Sequence, residues 1–136
     1  MRDHGEEDLL RECDRGDAAS CWTLGLIYGS ENIVVSDPSR AIQSFTQSCM
    51  NGWLPGCARV GKRYLAGEHA PLDSVKAAAY FDQACKGDYA PSCYDLAIMY
   101  AKGIGVSRDM LAAGRHRKRA CALGVLSACQ FLERTE

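Results

Sequence analysis

The sequence predicts an all-α fold, an α-solenoid built from helix-turn-helix repeats. The first observation is that eight cysteines form four pairs of the pattern C-x7-C, with equivalent members 36 residues apart. These pairs are Cys13 and Cys21, Cys49 and Cys57, Cys85 and Cys93, and Cys121 and Cys129. The second is that other positions keep the same period, among them Tyr28, Tyr64 and Tyr100. Self-similarity at a period of this size is typical of stacked repeat arrays.

Helical periodicity within the repeat predicts eight helices. In chain order we expect them near 5–14, 18–28, 38–50, 54–66, 74–86, 90–101, 109–122 and 126–134. The odd-numbered ones are called B helices, and the even-numbered ones A helices. A B helix such as 74–86 carries Ala77 and Phe81 on one face after a possible N-cap, Asp73. An A helix such as 90–101 has Pro91 in its first turn and stops at Gly103.

The spacing of the cysteines favours disulfides that are local to each helical hairpin. Residues eight apart on one unbroken helix would lie about 12 Å apart, too far for a disulfide. The glycine, aspartate and proline residues between them break the helix and bring the two ends together. Two alternatives remain: eight reduced cysteines packed in a cytosolic core, and a zinc site, whose usual spacing of two to four residues this sequence does not match. Local disulfides would imply an oxidising compartment.

Composition restricts the classes of function. The net charge of −1 gives no overall field that would attract nucleic acid or an anionic membrane. No apolar run approaches the roughly 18 residues of a membrane span, so we expect no membrane insertion. The N-terminal stretch MRDHGEEDLL lacks the apolar core of a secretory signal, so an exported protein would have this chain as its mature form.

Two segments resemble the Sel-1-like repeat, a relative of the tetratricopeptide repeat. The first is A-x-x-F-x-Q-A-C (78–85), followed by P-S-C (91–93) and L-A-x-x-Y-x-x-G (96–103). The second is A-x-x-x-F-x-Q-S-C-M-N-G (41–52), followed by C-x-x-V-G-x-x-Y-x-x-G (57–67). The paired cysteines resemble the secreted, cysteine-rich branch of that family, the Helicobacter cysteine-rich proteins. Ala97 departs from the pattern, because the equivalent positions hold Gly25 and Gly61.

The resemblance implies a right-handed superhelix whose A helices line a concave surface. We expect a single domain over 1–136, with half-repeat caps at about 1–16 and 125–136. Complete repeats would cover about 17–52, 53–88 and 89–124. The family resemblance also implies roles in assembling or inhibiting other proteins at the bacterial envelope, and, as an alternative, penicillin or cell-wall-peptide binding with weak β-lactamase activity.

The residues themselves predict no catalytic site, cofactor or metal. Serine enzymes that recognise penicillin use S-x-x-K, and no serine here has a lysine three positions later. A cysteine nucleophile needs a free thiol beside a histidine, whereas the repeat accounts for every cysteine. We therefore expect a protein that is not an enzyme.

Solenoids bind partners through extended concave surfaces, so the variable A-helix positions are the candidate site. These residues are Trp22, Arg59, Lys62, Arg63, Tyr94, Asp95 and Met99. Arginine and aromatic residues are common interface anchors, and three cations one turn apart suit a carboxylate. The alternative is that the cations are ordinary solvated charges and that Trp22 packs on a neighbouring helix.

The sequence therefore predicts an interaction scaffold, adaptor or inhibitor that binds another protein or a peptide. We expect a monomer in the periplasm or a secreted protein, with the mitochondrial intermembrane space as the alternative. Nucleic acid is not an expected partner.

Overall fold

The computed structural model describes residues 4–30, 37–68 and 70–134, and helices are the only regular secondary structure over these residues. The helices are α1 His4–Asp14, α2 Ala18–Tyr28, α3 Pro38–Met50, α4 Leu54–Ala66, α5 Ser74–Lys86, α6 Ala90–Lys102, α7 Met110–Ala122 and α8 Leu126–Arg134. Each predicted boundary is confirmed to within one residue. The B helices are α1, α3, α5 and α7, and the A helices are α2, α4, α6 and α8.

Aspartate side chains begin three of the B helices. Asp37 accepts a hydrogen bond from the backbone N–H of Arg40, and Asp73 accepts one from Lys76. Asp109 caps α7 in the same way. Such caps satisfy N–H groups that have no partner within the helix, which fixes where α3, α5 and α7 start.

The A helices start and stop by a different device. Both α4 and α6 have proline in the first turn and no side-chain cap, since Trp53 and Tyr89 occupy the cap position. They end at Gly67 and Gly103, whose φ angles of 69° and 71° lie in the left-handed region that glycine favours. Proline and glycine thus set the length of α4 and α6.

Four disulfides join the end of each B helix to the start of the next A helix. The Cα atoms of the paired cysteines lie 4.6 to 4.8 Å apart, within the range a disulfide requires. The pairs are Cys13–Cys21, Cys49–Cys57, Cys85–Cys93 and Cys121–Cys129. The predicted local pairing is confirmed, and no cysteine is free.

The helices are grouped into two compact units. Unit 1 is Met1–Leu72 and contains α1 to α4; unit 2 is Asp73–Glu136 and contains α5 to α8. Phe45 is completely buried in unit 1, as is Phe81 at the same repeat position in unit 2. The assignment of 1–136 to a single domain stays a prediction.

Helices α2 and α3 approach closely because position 25 is glycine. A Cβ atom built on Gly25 would lie 2.5 Å from the Phe45 ring, closer than such atoms can come. The ring of Phe45 can therefore lie close to the backbone of α2 in the interior of unit 1. Trp22, which is also on α2, then lies directly beside Phe45.

Candidate partner-binding site

An arginine and three aromatic rings form one cluster in unit 1. The ring of Trp22, on α2, lies 5.1 Å from that of Phe45, on α3, with the planes tilted by 55°. The guanidinium carbon of Arg59, on α4, lies 5.0 Å from the Trp22 centroid and 5.1 Å from the Phe45 centroid. At these distances the cation is attracted to both rings. Arg59 is thus held in one orientation by two neighbouring helices.

Trp53 extends the cluster towards solvent. It lies 6.5 Å from Trp22, at the cap position of α4, and 36% of its surface is exposed. Trp22 itself is half-buried. The chain contains only two tryptophans, and both belong to this cluster. An exposed indole beside a held guanidinium offers a partner an apolar contact next to a positive charge.

Two further cations follow Arg59 along α4. Lys62 is exposed, and Arg63 is half-buried. A guanidinium nitrogen of Arg63 lies beside Gly29, the residue that ends α2, so its positive charge faces the negative end of that helix. We call Trp22, Trp53, Arg59, Lys62 and Arg63 together the Trp–Arg surface. Lys62 is the most exposed of its three cations.

The three predicted site residues of unit 2 differ in accessibility. Tyr94 and Asp95, both on α6, are half-buried. Met99 is only 2% exposed, so the expected apolar contact at this residue is wrong. Met99 follows the buried Leu96 by about one helical turn, and its long flexible side chain reaches the same interior. That Tyr94 and Asp95 bind the same partner as the Trp–Arg surface stays a prediction.

Sequence reasoning missed two members of the cluster. Phe45 is completely buried, and the helical periodicity does not indicate its contact with Arg59. Trp53 lies in the turn between α3 and α4, so it is not one of the A-helix positions from which the candidate site was predicted. The sequence did hold one signal for Trp53: tryptophan occurs twice, and this one directly precedes an A helix.

In each unit, a tyrosine of an A helix also contacts a polar side chain of a B helix. In unit 1 the Tyr28 hydroxyl donates a hydrogen bond to Glu6 Oε2 over 2.8 Å, and burial together with this bond raises the pKa of Tyr28. In unit 2 the His116 imidazole stacks on Tyr100, with ring centroids 5.3 Å apart and planes 15° apart. Burial is the main reason that the pKa of His116 is lowered.

The described residues hold no group of three or more histidine, cysteine or acidic side chains placed to bind a metal ion. Over the same residues, no helix is both long and apolar enough to cross a membrane. All eight cysteine sulfurs are joined in disulfides, so the chain has no thiol that could act as a nucleophile.

Comparison with known proteins agrees with the repeat found in the sequence. The model of the Sel1 repeat family matches three times, at residues 18–53, 54–89 and 90–125. Each match contains one A helix and the following B helix, so the disulfides Cys49–Cys57 and Cys85–Cys93 join helices of neighbouring matches. No curated protein is similar to the chain at a significant level.

Several solved structures share the fold. A Sel1 repeat protein from Oxalobacter formigenes is 25% identical, with a TM-score of 0.86 over 94% of this chain and 96% of that one. Protein c5321 is a protective antigen of uropathogenic Escherichia coli with an SLR fold. It is 26% identical to this chain, with a TM-score of 0.83. The match covers 90% of this chain and 26% of c5321.

Helicobacter pylori cysteine rich protein B is 23% identical, with a TM-score of 0.72 over 92% of this chain and 90% of that one, a likeness that shows the fold alone. The expected fold class, an all-α solenoid of disulfide-linked repeats, is confirmed by these neighbours. Proteins built from Sel1 repeats generally serve as scaffolds for protein–protein interaction. Since three matches cover most of the sequence, the chain belongs to the Sel1 repeat family.

Proposed function

We propose that this protein is an interaction module that holds a partner protein or peptide on the Trp–Arg surface. The observation that supports this most strongly is the position of Arg59, fixed over Trp22 and Phe45 while Trp53 beside them is exposed. Arginine and tryptophan are the residue types that most often contribute large binding energies at interfaces. A guanidinium that is already oriented loses little conformational entropy when a partner binds.

The chemistry of this surface favours a peptide segment that bears a carboxylate next to an apolar side chain. The planar guanidinium of Arg59 suits a carboxylate, which it can bind with two parallel hydrogen bonds. Lys62, exposed one turn further along α4, adds a second positive charge. The indole of Trp53 would then cover the apolar side chain. The carboxylate belongs either to the C-terminus of the partner or to an acidic loop.

The two tryptophans provide a direct measurement of binding at this place. An array of short acidic peptides, together with matched peptides in which every carboxylate is an amide, would first select the probes. The selected peptides are then titrated into the protein while tryptophan emission is recorded. We expect acidic peptides to bind and to shift the emission, because Trp22 and Trp53 are the only tryptophans. The amide peptides should bind about tenfold more weakly or worse.

A charge-matched pair of variants locates the binding site. The variant Arg59→Ala/Lys62→Ala/Arg63→Ala should weaken binding about tenfold to a hundredfold. The control, Lys102→Ala/Arg115→Ala/Lys118→Ala, also removes three exposed or partly exposed cations, all from unit 2, and should leave binding unchanged. Equal losses in both variants would show a general charge effect and would contradict the proposed site.

The alternative function, penicillin or cell-wall-peptide binding with weak β-lactamase activity, predicts a different result. A tagged penicillin that acylates the protein would add a fixed mass to it. Our proposal predicts no such adduct, because the sequence lacks S-x-x-K and the chain has no thiol outside its disulfides. A stoichiometric adduct on a single residue would favour the alternative and count against a purely binding role.

We also propose that the protein works in an oxidising, extracytoplasmic compartment, the periplasm or the cell exterior. Four disulfides in a chain of 136 residues support this, because such bonds form and persist outside reducing cytosol. Alkylation of the protein directly in intact cells tests it. We expect the cysteines to resist alkylation until a reductant is added, and labelling without reductant would contradict the assignment.

A further inference from the structure

Four large apolar side chains are exposed at one end of unit 2. Leu111 is 78% exposed, Val75 is 68% exposed and Met110 is 55% exposed, and Ile104 is exposed as well. Met110 and Leu111 lie in the first turn of α7, Val75 lies in the first turn of α5, and Ile104 lies in the loop between α6 and α7. One exposed apolar residue is ordinary, whereas several in one place mark an interaction site.

The loop between α6 and α7 brings these residues to the same place. A Cβ atom built on Gly105 would lie 2.2 Å from the carbonyl oxygen of Ser74, so the loop lies directly against the start of α5. A Cβ atom built on Gly103 would lie 3.3 Å from the Cβ of Arg108, so the loop folds back on itself before α7 begins. Ile104, between these two glycines, is therefore close to the first turns of both helices.

The repeat itself does not require apolar residues at these four positions. Two repeats earlier, 72 residues back in the sequence, the positions of Val75, Ile104, Met110 and Leu111 hold Asp3, Asn32, Pro38 and Ser39. None of those four is a large aliphatic residue, although the helices α1 and α3 form in unit 1. The apolar residues of unit 2 are therefore an addition to the scaffold and not a condition for its folding.

Cations continue the same face along α7. This helix carries four arginine or lysine residues and no acidic one. Arg115 and Lys118 are exposed and follow Leu111 by four and seven residues, so they lie on its face of the helix, about 6 and 10 Å further along the axis. Arg119 is bound to Asp88 instead. Two repeats earlier, the positions of Arg115 and Lys118 hold the uncharged Gln43 and Thr46.

We propose that this face of unit 2 docks on the surface of an anionic phospholipid bilayer. It consists of Val75, Ile104, Met110, Leu111, Arg115 and Lys118, which we call the lipid-facing surface. The apolar side chains enter the boundary between headgroups and acyl chains, while the two cations lie at the phosphate groups. The chain's net charge of −1 does not oppose this, because the field of a bilayer acts only on charges within about a Debye length of it.

A bilayer suits this face better than a folded partner protein. The lipid-facing surface holds no aromatic residue, whereas the centres of protein interfaces are enriched in aromatic residues. Exposed aliphatic side chains beside lysine and arginine are instead typical of helices that lie on membranes. The surface is built from unit 2 alone, so the inference does not depend on the partner binding proposed for the Trp–Arg surface.

Flotation with lipid vesicles tests the proposal. The probes are vesicles of equal parts phosphatidylglycerol and phosphatidylcholine, compared with vesicles of phosphatidylcholine alone. We expect the protein to float with the anionic vesicles, to bind the neutral ones at least about tenfold more weakly, and to be released as salt is raised. No binding to the anionic vesicles, or equal binding to both kinds, would overturn the proposal.

Two pairs of matched variants locate the contact. Arg115→Gln/Lys118→Gln should weaken vesicle binding about tenfold or more, whereas Arg11→Gln/Arg15→Gln removes two exposed cations of α1 and should not. Ile104→Asn/Leu111→Ser, which introduces the residues found two repeats earlier, should also weaken binding about tenfold. Its control is Leu10→Ser/Met50→Ser, because these residues of unit 1 are exposed to almost the same extent, 39% and 75%. Equal losses in a variant and its control would contradict the assigned surface.

A soluble polyanion is the other ligand that two exposed cations could attract. Polyglutamate offers negative charge without an apolar phase, so we expect it to bind more weakly than anionic vesicles and not to respond to Ile104→Asn/Leu111→Ser. If polyglutamate binds as tightly as the vesicles and displaces the protein from them, the face recognises an acidic chain and the inference of a lipid surface is wrong.

Discussion

Glycine at position 25 determines how closely α2 approaches α3. The Cβ of an alanine there would meet the buried ring of Phe45, which has no space to move away. We expect Gly25→Ala to lower the free energy of unfolding by about 1–3 kcal/mol, as overpacking of a core usually does. Chemical denaturation, monitored by circular dichroism, measures this free energy.

The matched control is Gly114→Ala, in the interior of α7, where an added Cβ meets nothing within 4 Å. This change should stabilise the protein by about 0.5–1 kcal/mol, because alanine favours helix more than glycine does. If both alanine variants were stabilised alike, the close contact of Gly25 with Phe45 would be disproved.

Two buried serines should respond differently to the loss of their hydroxyl groups. Ser92 Oγ is buried without a hydrogen-bond partner, whereas Ser20 Oγ donates to Glu12 or Asp17. We expect Ser92→Ala to leave stability unchanged or to raise it by up to about 1 kcal/mol, and Ser20→Ala to lower it by about 1 kcal/mol. Denaturation midpoints of the two variants, measured side by side, test this. A Ser92→Ala variant less stable than Ser20→Ala would contradict the prediction.

Protonation of His116 should weaken the fold in mild acid. Burial is the main cause that lowers the pKa of His116, and Arg115 and Arg119 act in the same direction against Asp82. The folded state therefore prefers the neutral ring. Its contribution to stability is present above the ordinary pKa of about 6.5 and is lost as the pH falls through the lower folded value. His116→Gln should flatten the fall in melting temperature between about pH 7 and pH 5, and an unchanged fall would exclude this explanation.

At the level of the elements, helix positions could be predicted closely from sequence because local signals define them. Asp73 caps α5, and Gly103 ends α6, as expected. The contacts between elements could not be predicted in the same way. The periodicity placed Met99 at a variable surface position, yet its flexible side chain is buried. Likewise, the position of Arg59 between Trp22 and Phe45 depends on the packing of three helices, which no local pattern contains.

Each disulfide should stabilise its own helical hairpin by a similar amount. In the chain-entropy model, closing a loop as short as that between Cys85 and Cys93 contributes about 2–3 kcal/mol. We expect the variant Cys85→Ala/Cys93→Ala to fold but to lose about this free energy of unfolding under oxidising conditions. Amide hydrogen exchange should show reduced protection first in the last turn of α5 and the first turn of α6, where the two cysteines lie. Equal stability of variant and parent in oxidising buffer would mean that this bond contributes nothing.

For the whole molecule, the proposed partner binding depends on hairpins that keep their shape before the partner arrives. Disulfides fix the ends of consecutive helices, and the close contact at Gly25 fixes α2 against α3. Together they would hold Trp22 and Arg59 in place before any partner arrives, which reduces the entropy lost on binding. Reduction of the disulfides should therefore weaken binding of acidic peptides as well as stability.

The arrangement of the disulfides is the most direct test of this account, since every hairpin described above depends on it. The protein is digested without reduction, and the linked peptides are identified by mass spectrometry. We predict four links, Cys13 to Cys21, Cys49 to Cys57, Cys85 to Cys93 and Cys121 to Cys129, with no alkylatable thiol. Free thiols, or a link between different hairpins such as Cys21 to Cys49, would contradict it.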